Sequence, residues 1–165
     1  MRKKTSPVSI WRAPTGESYP LIDATSALYA SVTADDVSCA VEGDPCRCAI
    51  AQAFKRAAGS PDTLIGRTIA YVVLRIDGED KAMRFRVPAK TRRAIDSFDE
   101  TGDMDPDTLV LTPPRPTDTL ESKRIQDKRM RQRWAEKGHT PRPASIDLSH
   151  RNSKALANTQ VVRGS

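Results

Sequence analysis

The sequence predicts an α+β fold, and three observations carry that prediction. Apolar residues recur at helical spacing over 45–58. A Val/Ile-rich run at 68–76 meets an alternating run at 81–87 across Asp77-Gly78. A basic stretch without Gly or Pro covers 119–137. The expected arrangement is a small two-layer domain over 21–112, ordered α-α-β-β-α-β. An extended basic arm over 1–20 and a basic tail over 113–165 flank it. The 165 residues suffice for one domain and not for two large ones. Hydrophobic residues make up 38% and aromatics 5%, so part of the chain is expected not to pack on itself.

The N-terminal arm follows from Pro7, Pro14 and Pro20 among Ser, Thr and Gly16. Each proline removes a backbone donor and pushes its predecessor towards extended geometry. A short helix is predicted from about 34 to 41, opened by the capping-box pattern Thr33-Ala-Asp-Asp36 and closed at Gly43. Asp44-Pro45 then reads as the start of a helix running to 58, with Ala49, Ile50, Ala53, Phe54 and Ala57 on one side and Gly59 as its stop. The strand at 68–76 is dense in β-branched residues, and Asp-Gly is a strong hairpin signal. In the returning strand Met83, Phe85 and Val87 share one face and Arg84 and Arg86 the other. Pro88 opens a helix over 89–99 with Ile95 and Phe98 inward, and Asp107–Thr112 reads as a third strand. Pro113-Pro114-Arg115-Pro116 is a stiff linker into the tail.

Charge follows the same borders. Residues 1–20 carry a net +3, residues 21–112 a net −4 and residues 113–165 a net +7, within a total of +6. Such segregation reports on partners more than on fold. No run approaches the roughly 20 apolar residues of a membrane span, so no membrane partner is expected. No apolar segment follows Arg2, Lys3 and Lys4, so no signal peptide is expected either.

Few residues suggest catalysis. Cys39, Cys46 and Cys48 are the weak candidates for zinc, but their C-x6-C-x-C spacing supplies three ligands rather than four. Both histidines, His139 and His150, lie far off in the tail. The odd count points to reduced thiols, although a Cys39–Cys46 disulfide across the turn is sterically conceivable. A thiolate near the start of the 45–58 helix would have a lowered pKa, but no histidine of the domain could serve as its base. The acidic run Asp99–Asp107 does not fit a calcium loop, and Pro106 breaks its register. No phosphate-binding glycine loop and no G-x-S-x-G occurs. No catalytic residue, cofactor or metal is therefore assigned, and the protein is expected not to be an enzyme.

The informative feature is the predicted helix 119–137, with Lys123, Arg124, Lys128, Arg129, Arg131, Arg133 and Lys137 as its cations and Trp134 as an aromatic anchor. Its apolar residues Leu120, Ile125, Met130 and Trp134 make a poor stripe, so an isolated helix would be marginal and its expected role is contact. In the N-terminal arm Arg2, Lys3, Lys4, Trp11 and Arg12 are the corresponding contact residues. The bland alternative is a solvated basic face without a partner. Beyond Gly138 the prolines Pro141 and Pro143 predict an extended trailing arm that follows a surface groove.

Thr33-Ala-Asp-Asp36, then Gly43-Asp-Pro-Cys-Arg-Cys-Ala-Ile-Ala-Gln-Ala-Phe-Lys-Arg56, then Val87-Pro88 and Phe98-Asp99 with Gly102, form a pattern over about 33–102. It resembles small uncharacterised phage proteins of actinobacterial hosts. The resemblance implies a phage origin and carries no catalytic residues. Together with the basic arms it leads to the expectation of a capsid-associated minor or decoration protein. Such a protein would be located in the virion, and in the host cytoplasm before assembly. The alternative is a small nucleic-acid-binding or host-takeover protein that uses helix 119–137 on phosphates.

Overall fold

The computed structural model describes residues 8–139 and the backbone of 161–163. The α+β class holds. Among the described residues the elements are β1 (Ser9–Arg12), β2 (Ser18–Asp23), β3 (Leu28–Ser31), α1 (Ala34–Ser38), α2 (Ala49–Ala58), β4 (Thr63–Ile65), β5 (Ile69–Ile76), β6 (Glu79–Arg86), α3 (Ala89–Thr101), β7 (Thr108–Leu111), α4 (Leu120–Glu136) and β8 (Val161–Arg163).

The hairpin expected at Asp77-Gly78 forms, with φ of +52° and +78° at the two turn residues, the left-handed pair that a two-residue hairpin loop requires. It supplies β5 and β6, the centre of a six-stranded sheet ordered β4-β5-β6-β2-β1-β8. The β2–β6 pair is parallel, and the other pairs are antiparallel.

The alternation along β6 sorts its side chains as expected. Met83, Phe85 and Val87 join Ile50, Phe54, Ile95 and Phe98 in a core beneath α2 and α3. The two-stranded ribbon β3–β7 closes that layer through Leu109 and Leu111, and Thr112 pairs with Arg86 beyond the ribbon's end.

The opposite face holds a second core of Trp11, Tyr19, Leu21, Leu64, Ile69, Tyr71, Val73 and Ala82. Three strand spacings separate β1 from β5, roughly 14 Å in a flat sheet. Yet the Trp11 and Tyr71 rings stack with centroids 5.2 Å apart. The sheet must therefore curl until its two sides meet around these rings. The indole N–H of Trp11 meets no acceptor among the described residues, which costs about 1–3 kcal/mol. Burial of roughly 200 Å² of ring surface, at about 25 cal/mol per Å², outweighs that cost.

This second core corrects the reading of an extended arm over 1–20 for its described part, residues 8–20. Residues 9–23 form a β-hairpin within the sheet, and Trp11 is a fully buried core residue rather than a contact residue. The alternation Ser9, Trp11 and Tyr19, Leu21 puts the apolar side chains on one face, and Pro20 sits in the strand without forcing it out of the sheet.

Two further boundaries differ: α1 stops at Ser38 rather than running to about 41, and α2 starts later than 45. The Asp44-Pro45 signal produces a turn, in which the Asp44 carboxylate accepts the Cys46 N–H at 2.9 Å. The helix proper begins after Cys48, whose Sγ accepts the Ala51 N–H at 3.4 Å in place of a hydroxyl cap. The β3 and β4 strands were not expected, since three- and four-residue runs carry little periodicity. By contrast α1 has the expected capping box at Thr33 and Asp36. Helix α3 ends at Gly102 with φ +70°, where an added Cβ would collide with the Glu42 carboxylate.

Candidate functional site

Helix α4 is where the sequence places the contact surface, and the structure divides it into two halves. Thr119 is the N-cap, its side chain accepting the Ser122 N–H, and the element spans Leu120–Glu136. The first turns are docked. Leu120 packs against the aromatic core, and its N–H donates to Asp23 Oδ2 at 2.8 Å. The second Asp23 oxygen accepts from Arg84 Nη1 at 3.1 Å, and the same nitrogen donates to the Asp118 carbonyl at 2.7 Å. Arg84 is buried, 3% exposed, so Asp23 both pairs a buried guanidinium and holds the start of α4. Arg124 donates to Ser9 Oγ at 2.6 Å, tying the second turn to β1.

Beyond Asp127 the helix leaves the domain. Every side chain from Lys128 to Lys137 is exposed. The cations Lys128, Arg129, Arg131, Arg133 and Lys137 stand there against the single carboxylate Glu136. Met130 and Trp134 are 49% and 39% exposed, although they are large and apolar. At about 100° per residue Leu120, Met130 and Trp134 fall on one side of the helix. The side that docks at its base therefore continues outward as an uncovered pair. The Trp134 ring lies 5.7 Å from that of His139.

The expected contact residues thus separate into groups. Lys128, Arg129, Arg131, Arg133, Trp134 and Lys137 form one exposed surface. Lys123 and Arg124 are half-buried at the helix base, and Arg124 serves to dock it. Arg12 is exposed at the end of β1, whereas Trp11 is internal. Arg2, Lys3 and Lys4 lie outside the described residues, as does the trailing arm apart from 161–163. Those three residues pair with β1 as an antiparallel strand. The docking role of Asp23 was not legible, because its partners are 61 and 97 residues away in sequence.

The three cysteines differ in their surroundings. Cys39 is exposed, Cys46 half-buried and Cys48 buried, and all three are free thiols. Burial, then the nearby Asp44 carboxylate, pushes the Cys46 thiol up to about 11. Burial pushes Cys48 up to about 12. This corrects the expectation of a lowered pKa: desolvation at a packed helix start outweighs the helix dipole. Among the described residues no three His, Cys, Asp or Glu side chains gather as metal ligands.

Asp36 is a structural carboxylate. Burial by itself would raise its pKa, but Arg56 at 2.8 Å and the Thr33 N–H and hydroxyl hold it below the usual range. Tyr19 donates to Asp62 in the second core, and burial and that carboxylate together raise its pKa well above the usual value.

No helix among the described residues is long and apolar enough to cross a membrane. Compared with protein-family models, with curated proteins and with solved structures, the chain has no match.

Proposed function

We propose that the protein is a non-enzymatic accessory of a phage particle, a minor or decoration protein fastened to the capsid through the outer half of α4. The observation that carries this reading is the projecting segment 128–137, whose five cations surround an exposed Met130 and Trp134. Cations alone would serve any polyanion. Large apolar side chains beside arginine are the composition of protein-binding hot spots, and they favour an acidic protein surface. The base of the helix is fixed by Asp23, Leu120 and Arg124, so the projecting end is presented in one orientation and loses less entropy on binding. The phage setting rests on the resemblance over 33–102.

Mass spectrometry of purified particles tests this proposal. The expected result is a copy number in fixed ratio to the capsid protein, and its loss when Arg129, Arg131 and Arg133 are all changed to Glu. Absence from the particles overturns it.

A second reading, a nucleic-acid-binding or host-takeover protein, is favoured by the spread of the cations around the whole circumference of α4, which would let phosphates be met on several sides. Its signature is oligonucleotide affinity that falls steeply with salt, with a slope reduced in the Arg129, Arg131 and Arg133 to Ala triple variant. A flat salt response excludes it.

A further inference from the structure

The linker before α4 and the first turns of the helix roof one end of the sheet's curled inner face. Beneath the roof lies a cleft of about 240 Å³, lined among others by Arg84, Arg86, Arg92, Lys123 and Asp118. Four basic residues therefore line one small space together with Asp118, and Asp23 stands behind Arg84.

The three guanidiniums are held very differently. Arg84 uses Nη1 for both of its bonds, to Asp23 and to the Asp118 carbonyl, so its Nε and Nη2 donate to no described residue. Arg92 is fixed by the carbonyls of Arg67 at 3.0 Å and Val87 at 3.5 Å, which orient it without cancelling its charge. Arg86 is anchored through its backbone to Thr112. Its half-buried side chain makes no hydrogen bond or ion pair with any described residue. Like charges gathered in a half-enclosed space repel, and the repulsion is relieved when an anion takes the donors. The planar forks of arginine match the oxygens of a tetrahedral phosphate, and donors already fixed by the sheet lose little entropy on binding.

We infer that this cleft is a phosphate-binding site, with Arg86 as its principal free donor and Arg84, Arg92 and Lys123 as its walls. The phosphate can be a free or small-molecule one, or a phosphate of a nucleic-acid backbone. The site is separate from the projecting half of α4 and stands or falls independently of it.

Calorimetric titration of the full chain with pyrophosphate, with a ten-nucleotide single-stranded DNA and with acetate tests the inference. Each is run on the wild type, on Arg86→Ala, on Lys123→Gln, and on the triple variant R129A/R131A/R133A. Thermal unfolding of each variant in parallel establishes that it folds. Pyrophosphate binding that weakens roughly tenfold or more in Arg86→Ala, as expected for one lost charged hydrogen bond, and that survives in the triple variant supports a small-phosphate site. Binding of the DNA alone, weakened by Arg86→Ala, supports the site with a nucleic-acid phosphate as its ligand. Three results overturn it: no binding of either phosphate probe, binding that Arg86→Ala and Lys123→Gln leave unchanged, or acetate bound as tightly as pyrophosphate.

Discussion

The N-terminal hairpin and the outer half of α4 both lie at the flanks of the domain, and they end in opposite places. Residues 9–23 carry only three large apolar side chains on the inward face, Trp11, Tyr19 and Leu21, and all three are buried in the second core. Residues 128–137 carry Met130 and Trp134, and both remain exposed. The difference lies in what each element can bond to. A strand can complete its backbone hydrogen bonds only by joining a sheet, and β2 does so alongside β6. A helix satisfies its backbone internally and can stand beyond the domain with one end attached.

The largest effect that would break this comparison is expected at Trp11. Trp11→Ala removes a fully buried ring from between Tyr19 and Tyr71 and should cost about 3–5 kcal/mol, read as a shift of the urea midpoint. If the loss is below about 1 kcal/mol, the hairpin is not part of the core.

Next is Asp23, the joint between the two regions. Asp23→Ala leaves the Arg84 guanidinium buried without its carboxylate and should cost about 3 kcal/mol. It should also speed hydrogen exchange at the first amides of α4, starting with Leu120. Stability lost without faster exchange there would mean that α4 is held by something other than this carboxylate.

Acid should distinguish the regions by a smaller amount. The folded-state pKa of Asp36 is depressed, so its contribution to stability is fully present above the unfolded carboxylate value of about 3.9 and is lost as pH falls through the lower folded value. Arg56→Gln removes the ion pair and should reduce the stability difference between neutral and strongly acidic pH. An unchanged pH profile would show that the pair contributes nothing to acid stability.

The smallest stability effect is expected on the projecting helix. Trp134→Ala, and separately the Arg129, Arg131 and Arg133 to Ala triple variant, should each leave the urea midpoint within about 0.5 kcal/mol of wild type, while partner binding falls. A stability loss above about 1 kcal/mol would place these residues in a packed interface within the chain.

Much of the fold was legible wherever a local signal coincided with a long element. The Asp77-Gly78 hairpin, the Thr33 capping box and the Thr119 start of α4 all reflect chemistry within a few residues of chain. Asp44-Pro45 was misleading because an Asp that caps a helix equally caps a turn, and the following Cys48 had the better-placed acceptor. Strand β1 was hidden because prolines and cations in its vicinity look like an arm, and only pairing with β2 shows that Trp11 faces inward.

The candidate contact surface was legible in its outer half and not at its base. Exposure of Arg129, Arg131 and Arg133 follows from composition. The docking of Arg124 depends on Ser9, which lies 115 residues away.

By itself the sequence determined the α+β class, the central hairpin, helices α1, α3 and α4 and the segregation of charge, because each rests on short-range periodicity, capping or composition. Only the tertiary structure decided that the sheet curls, that Trp11 is core, that Asp23 joins Arg84 to α4, and that three arginines converge in one cleft. Those outcomes depend on contacts between residues tens of positions apart, where the pairing of strands, and not any local preference, sets which side chains meet.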